Sequence, residues 1–100
     1  MSGERSIVRA VIRGRVQGVG FRAWTQHQAQ LHGLEGWVRN LRDSSVEVVF
    51  AGPAEAVEIM SRTLREGPRG ARIDAFEEYP ATAAEVAEAG EDGFLVRETA

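Results

Sequence analysis

Gly14-Arg15-Val16-Gln17-Gly18-Val19-Gly20-Phe21-Arg22 places three glycines within seven residues and closes on an arginine. The stretch lies between a run of strand character and a run of helix character. Glycine takes positive φ without a Cβ clash, so successive backbone N–H groups in such a loop can turn inward together. A nest of that kind at a helix N-terminus is an anion site. Arg22 adds a planar fork of donors matched to phosphate or carboxylate oxygens. An arginine in the first turn of a helix opposes the macrodipole, which favours acids there. An anion between the two removes the conflict. The alternative is a turn whose glycines serve structure alone. The spacing is not that of a phosphate loop ending in Gly-Lys-Ser/Thr, because the chain has no lysine, nor is it the dinucleotide pattern Gly-x-Gly-x-x-Gly.

The surrounding pattern fixes what the loop connects. From Ile7 to Arg13, Val8, Ala10 and Ile12 fall on one face and Arg9 and Arg13 on the other, the period of a half-buried strand. Phe21 to His32 lacks glycine and proline and reads as a helix stopped by Gly33, with Phe21, Trp24, Thr25, Gln28, Ala29, Leu31 and His32 in its inner stripe. Gly36 to Leu41 and Ser45 to Ala51 read as two strands of a hairpin turned at Arg42-Asp43-Ser44. Gly52-Pro53 opens a second helix with proline at its first position. Val57, Met60, Ser61 and Leu64 form its inner stripe, and Gly67-Pro68 ends it. Arg72 to Tyr79 is a further strand in which Ile73 and Phe76 break strict alternation, which implies a bulge or bend. The acidic, alanine-rich stretch 81–92 reads as either a helical turn or a loop, and Gly93 to Arg97 reads as a short last strand. The order strand, helix, strand, strand, helix, strand predicts an α+β, ferredoxin-like βαββαβ sandwich, with both helices on one face of an antiparallel sheet and an extra short C-terminal strand.

One hundred residues with 43% hydrophobic and 27% charged side chains suit one globular domain, 1–100, with a single modest core. No apolar run is long enough to span a membrane, and no apolar stretch follows the charged residues 1–6 as in a secretory signal. The chain has no cysteine, hence no disulfide framework or thiolate chemistry, which fits a cytoplasmic protein. A formal net charge of −3 argues against a general nucleic-acid binder. All twelve basic residues are arginine, and Arg9, Arg13, Arg15, Arg22, Arg39 and Arg42 lie in the first half, where they would suit a small anionic substrate.

Asn40 is the second candidate. It ends a strand although asparagine is a poor strand former. It is either a turn initiator or an amide placed to hold a water by one donor and one acceptor. His27 and His32 are five residues apart and do not share a helical face as a metal pair would. Trp24 and Trp37 read as packing residues, Asp43 as a turn residue, and Glu85, Glu88, Glu91 and Asp92 as a solvated run.

Gly14-Arg15-Val16-Gln17-Gly18-Val19-Gly20-Phe21-Arg22 resembles the first motif of the acylphosphatases throughout, and Gly36-Trp37-Val38-Arg39-Asn40 followed by Val46-Glu47-Val48 resembles the second. Gly67-Pro68-Arg69-Gly70-Ala71-Arg72-Ile73-Asp74 is similar to the family's helix-to-strand join. The resemblance extends over nearly the whole chain. It implies a hydrolase that converts acyl phosphates, the mixed anhydrides of carboxylic and phosphoric acids, to carboxylate and inorganic phosphate. It further implies that Arg22 binds the phosphate, that the N–H groups of Val16, Gln17, Gly18, Val19 and Gly20 cradle it, and that Asn40 orients the attacking water. No metal and no cofactor are implied. The partners expected are a small acyl phosphate and inorganic phosphate as product and inhibitor, with no nucleic acid and no membrane, for a monomer. Ser44 stands where the family usually has glycine in the hairpin turn, so a positive φ there would strain the serine.

Two other classes remain open on the residues alone. One is a non-catalytic module of the same fold that senses an anion or acyl phosphate, which a hydrolysis assay separates from an enzyme. The other is an RNA-recognition domain, which wants paired aromatics and a basic sheet face. The first strand has no aromatic, and the net charge is negative.

Overall fold

Alternation over an unusually long first strand gives the molecule its two faces. The computed structural model describes residues 4–88 and 93–100. Strand β1 (Arg5–Arg15) leads to helix α1 (Phe21–Leu31), strands β2 (Glu35–Asn40) and β3 (Val46–Pro53), helix α2 (Ala54–Glu66), strand β4 (Arg72–Pro80), helix α3 (Ala83–Ala87) and strand β5 (Phe94–Val96). The sheet runs β4-β1-β3-β2-β5. β1 is antiparallel to both β3 and β4, and β2 to β3, as expected for the ferredoxin-like order. β5 differs: it lies parallel to β2, with Phe94 opposite Gly36, so the five-stranded sheet is mixed rather than wholly antiparallel.

On one face Ala10, Ile12, Val38, Val46, Val48 and Phe50 meet Phe21 and Ala29 of α1 and Val57, Met60 and Leu64 of α2. Each helix presents one stripe to the sheet, with Phe21, Thr25 and Ala29 four apart in α1 and Val57, Met60 and Leu64 three and four apart in α2. The α2 stripe is the expected one, including buried Ser61, whose hydroxyl donates to Glu78 at 2.8 Å. In α1 the expected stripe was too broad. Leu31 is 64% exposed, because at 100° per residue it stands about 120° from the centre of the buried Phe21, Thr25 and Ala29. α2 begins at Ala54, one residue later than expected. Pro53 serves as N-cap, with φ −56° and an extended ψ of 140°.

The other face is closed by α3, which decides for a helical turn over a loop at residues 83–87. Trp37, Val49 and Ala51 pack there against Val86, and the Trp37 indole N–H donates to the Glu85 carbonyl at 2.7 Å. Thr82 and Glu85 close a capping box at the start of α3. Glu85 is therefore a helix-capping residue rather than part of a solvated run, and Glu91 and Asp92 of that run lie outside the described residues. Arg39 and Arg97 each stack a guanidinium 4.7 Å from the Trp37 ring centroid. The expected bulge is present: the register jumps from Arg13 opposite Ala75 to Gly14 opposite Ile73, leaving Asp74 as the extra residue. Gly14 has φ 132°, and a Cβ there would lie 2.1 Å from the Arg72 carbonyl oxygen. The first glycine of the loop thus serves strand approach, and the cradle begins after it.

Candidate active site

The loop from β1 to α1 is pinned at its base by Val16, which is fully buried. Beyond it Gly18 and Gly20 take φ 77° and 76°, while Val19 between them packs against the core. A Cβ at either glycine would meet no atom within 4 Å, so the requirement for glycine there is conformational and the space above the loop is open. Gly20 is also the N-cap of α1, with no side-chain cap and no acid in the first turn. The first helical hydrogen bond runs from Trp24 N–H to the Gly20 carbonyl at 3.0 Å. The preceding N–H groups of the helix have no i−4 partner and carry the positive end of the dipole.

Gly18, Gly20, Arg22 and Asn40 line one cleft of about 300 Å³, together with Val16 and Gln17. Of the residues singled out from the sequence, Val19 alone does not line it, because its side chain turns inward. Larger clefts of about 540 Å³ beside α2 and about 460 Å³ beside the hairpin turn bring none of these residues together. The chemistry of the lining, not the size of the hollow, selects the site.

Arg22 is half-buried, and its Nη1 donates to the Arg97 carbonyl at 3.3 Å. The other half-buried arginines, Arg9, Arg39 and Arg97, each pair with a carboxylate. Among the described residues Arg22 has none. A half-buried cation without a counter-ion, set against a helix N-terminus, is electrostatically prepared for an anion.

Asn40 is half-buried at the end of β2. Its carbonyl accepts from Ala100 N–H at 3.0 Å, and it stands opposite Val46 in the ladder. Among the described residues its carboxamide makes no hydrogen bond, so both of its polar ends are available to a ligand or a water. It does not build the hairpin turn. That work falls to Asp43, which accepts from the Ser45 hydroxyl and, at 3.0 Å, from Ser45 N–H. The Ser45 hydroxyl, then Arg13 Nη1 at 2.9 Å, hold the Asp43 carboxyl down at about 2. The same contact raises Arg13. Ser44, next in the turn, takes φ 77°, the positive value at which serine is strained.

Phe21, Ala23 and Val96 also line the cleft. Nothing in the sequence marks these three as site residues. Val96 reaches it only because β5 pairs with β2, a long-range event with no local signal. The Gln17 side chain, which spans to the hairpin, was equally unremarked. His27 is exposed and His32 half-buried, and among the described residues no three His, Cys, Asp or Glu side chains cluster as metal ligands.

A sequence profile of the family described as Acylphosphatase matches residues 8–94. A protein named acylphosphatase from Nitrobacter hamburgensis is 60% identical over 73 residues, which cover 73% of this chain and 74% of the relative. Another from Bradyrhizobium diazoefficiens is 56% identical over 70 residues, covering 70% and 71%. The structure of an acylphosphatase from Coxiella burnetii superposes with a TM-score of 0.83 at 29% identity, covering 97% of this chain and all of that one.

Proposed function

We infer the function from the premise that this chain belongs to the acylphosphatase family: it is an enzyme that hydrolyses acyl phosphates to carboxylate and inorganic phosphate. The observation that supports this best is the single cleft shared by Gly18, Gly20, Arg22 and Asn40. In the proposed mechanism the N–H groups of residues 16 to 20 and the Arg22 guanidinium hold the phosphoryl oxygens. Asn40 holds a water by its carboxamide and aims it at phosphorus, opposite the departing carboxylate. A carboxylate is a good leaving group, so the step asks for positioning and charge stabilisation more than for a strong acid. Fixed donors in a partly dry cleft supply both. A phosphate oxygen of the substrate accepts the water's proton. One chain supplies the loop, Arg22 and Asn40, so a monomer suffices for the proposed chemistry. The absence of cysteine supports the cytoplasm, and the substrate is a small molecule, with no nucleic acid or membrane partner.

Steady-state hydrolysis of benzoyl phosphate, with and without a chelator, tests the reading. Activity that persists in chelator is expected, and an inactive chain would overturn it. Arg22→Ala should slow turnover about a hundredfold or more, the scale of losing one oxyanion donor, and weaken inhibition by inorganic phosphate. Near-normal hydrolysis by that variant would remove Arg22 from the mechanism. Asn40→Ala should remove nearly all turnover, with the small residual rate still inhibited by phosphate as in the unsubstituted chain. A parallel loss of phosphate binding would show that Asn40 belongs to the cradle instead.

A further inference from the structure

Gln17 makes a side-chain contact that the mechanism above leaves unused. Its Nε2 donates to two carbonyls, that of Leu41 at 2.9 Å and that of Ser45 at 2.8 Å. Two carbonyl acceptors settle which end of the carboxamide faces the hairpin, since only the NH₂ group can donate. Leu41 and Ser45 close the base of the β2–β3 turn, where Leu41 N–H donates to the Ser45 carbonyl at 2.8 Å. Leu41 follows Asn40 directly. Ser45 precedes Val46, the residue opposite Asn40 in the ladder. One side chain from the anion loop therefore grips both strands immediately beside Asn40. Among the described residues no other hydrogen bond joins residues 16–20 to residues 40–46.

We propose that Gln17 is a positioning residue: its carboxamide sets the distance between the phosphate cradle and the Asn40 carboxamide, so that a water on Asn40 stands in line with the bound phosphorus. The inference rests on the roles proposed above for the cradle and for Asn40. The cradle and the water holder sit on different elements, the β1–α1 loop and the end of β2, and the turn beyond Asn40 is exposed and holds Ser44 at φ 77°. Such a turn needs an anchor, because in-line attack tolerates little error and a displacement of about 1 Å can cost two orders of magnitude in rate. Gln17 supplies that anchor through the two hydrogen bonds of its carboxamide, while its backbone N–H belongs to the proposed cradle.

The test compares Gln17→Met, which keeps length and loses both donors, with the unsubstituted enzyme and with Asn40→Ala. Gln17→Met should lower kcat on benzoyl phosphate about tenfold and leave the inhibition constant of inorganic phosphate within about twofold. Added to Asn40→Ala, it should change the residual turnover little, because the group it positions is already gone. Equal kcat losses in the two backgrounds would overturn the proposal. So would a phosphate inhibition constant that rises in step with the loss of kcat, which would make Gln17 a cradle-shaping residue. Should Gln17→Met not fold, Gln17→Asn carries the same two readouts, since it keeps the donors and shortens the reach by one methylene. An inactive unsubstituted chain would instead overturn the proposed function, and this inference with it.

Discussion

Ser44 and Thr25 are two residues at which this chain departs from its own local chemistry, and each departure is measurable. Ser44 holds φ 77° in the β2–β3 turn, a conformation that a Cβ makes unfavourable and glycine adopts freely. Ser44→Gly removes the strain but loosens the unfolded chain, so the expected net gain is small, about 0.5 kcal/mol. Chemical denaturation should show a slightly higher midpoint with an unchanged slope, and hydrolysis should stay within about twofold, because the anchors of Asn40 are Gln17 and Asp43 rather than Ser44. Thr25 is fully buried in α1, and among the described residues its hydroxyl has no hydrogen-bond partner. Thr25→Val keeps the shape and removes an unsatisfied polar atom, so it should stabilise by about 1 kcal/mol. A loss of stability would mean that the hydroxyl has a hydrogen-bond partner in solution. Ser44 stands out in the sequence only against the family's usual glycine, and its φ of 77° bears out the strain expected there. Thr25 does not advertise itself: threonine on a helix is ordinary, and only the lack of a partner among the described residues marks it.

The elements were legible wherever the signal was local. Alternation gave β1, and the bounds of α1 and α2 stood within two residues of their glycine and proline punctuation. The broken spacing of Ile73 and Phe76 marked the bulge. What was illegible depended on partners far along the chain. α3 is five residues long, too short to persist by propensity, and it forms by capping itself and packing Val86 on Trp37 from the far side of the sheet. The parallel pairing of β5 with β2 and the run of the C-terminal residues beside Asn40 likewise bring Val96 and the Arg97 carbonyl to a cleft that the motifs only half describe. The hairpin makes the electrostatics of one such element testable. Asp43 titrates near 2 when folded against 3.8 ordinarily. A depressed carboxyl stabilises the fold above its unfolded value, and that contribution fades as pH falls from about 4 towards 2. Asp43→Asn should therefore lower the urea midpoint at pH 6, and the gap from the unsubstituted protein should close on acidification. A gap that stays constant down to pH 2 would assign the effect to the turn's hydrogen bonds rather than to its charge.

At the scale of the whole molecule, the cleft draws on the start of α1, the end of β2 and, through Val96, on β5. These segments belong to one core, since Phe21, Val38 and Phe94 are all buried in it. A ligand held there should register as stability of the entire fold. With inorganic phosphate at ten times its dissociation constant, binding to the folded state alone contributes about 1.4 kcal/mol. For a chain of 100 residues that corresponds to a rise in Tm of roughly 6–11 °C. The shift separates the two proposed roles without any turnover. Arg22→Ala removes the cation that no carboxylate among the described residues neutralises, so its Tm should respond little to phosphate at that concentration. Asn40→Ala leaves the anion's donors intact, so the shift should persist at nearly full size. Gln17→Met should behave as Asn40→Ala does, because it loosens the hairpin and not the cradle. A thermal melt series in phosphate against chloride at matched ionic strength reads all three, and a shift equally lost in Arg22→Ala and Asn40→Ala would mean that the two side chains bind the anion jointly instead of dividing anion and water between them.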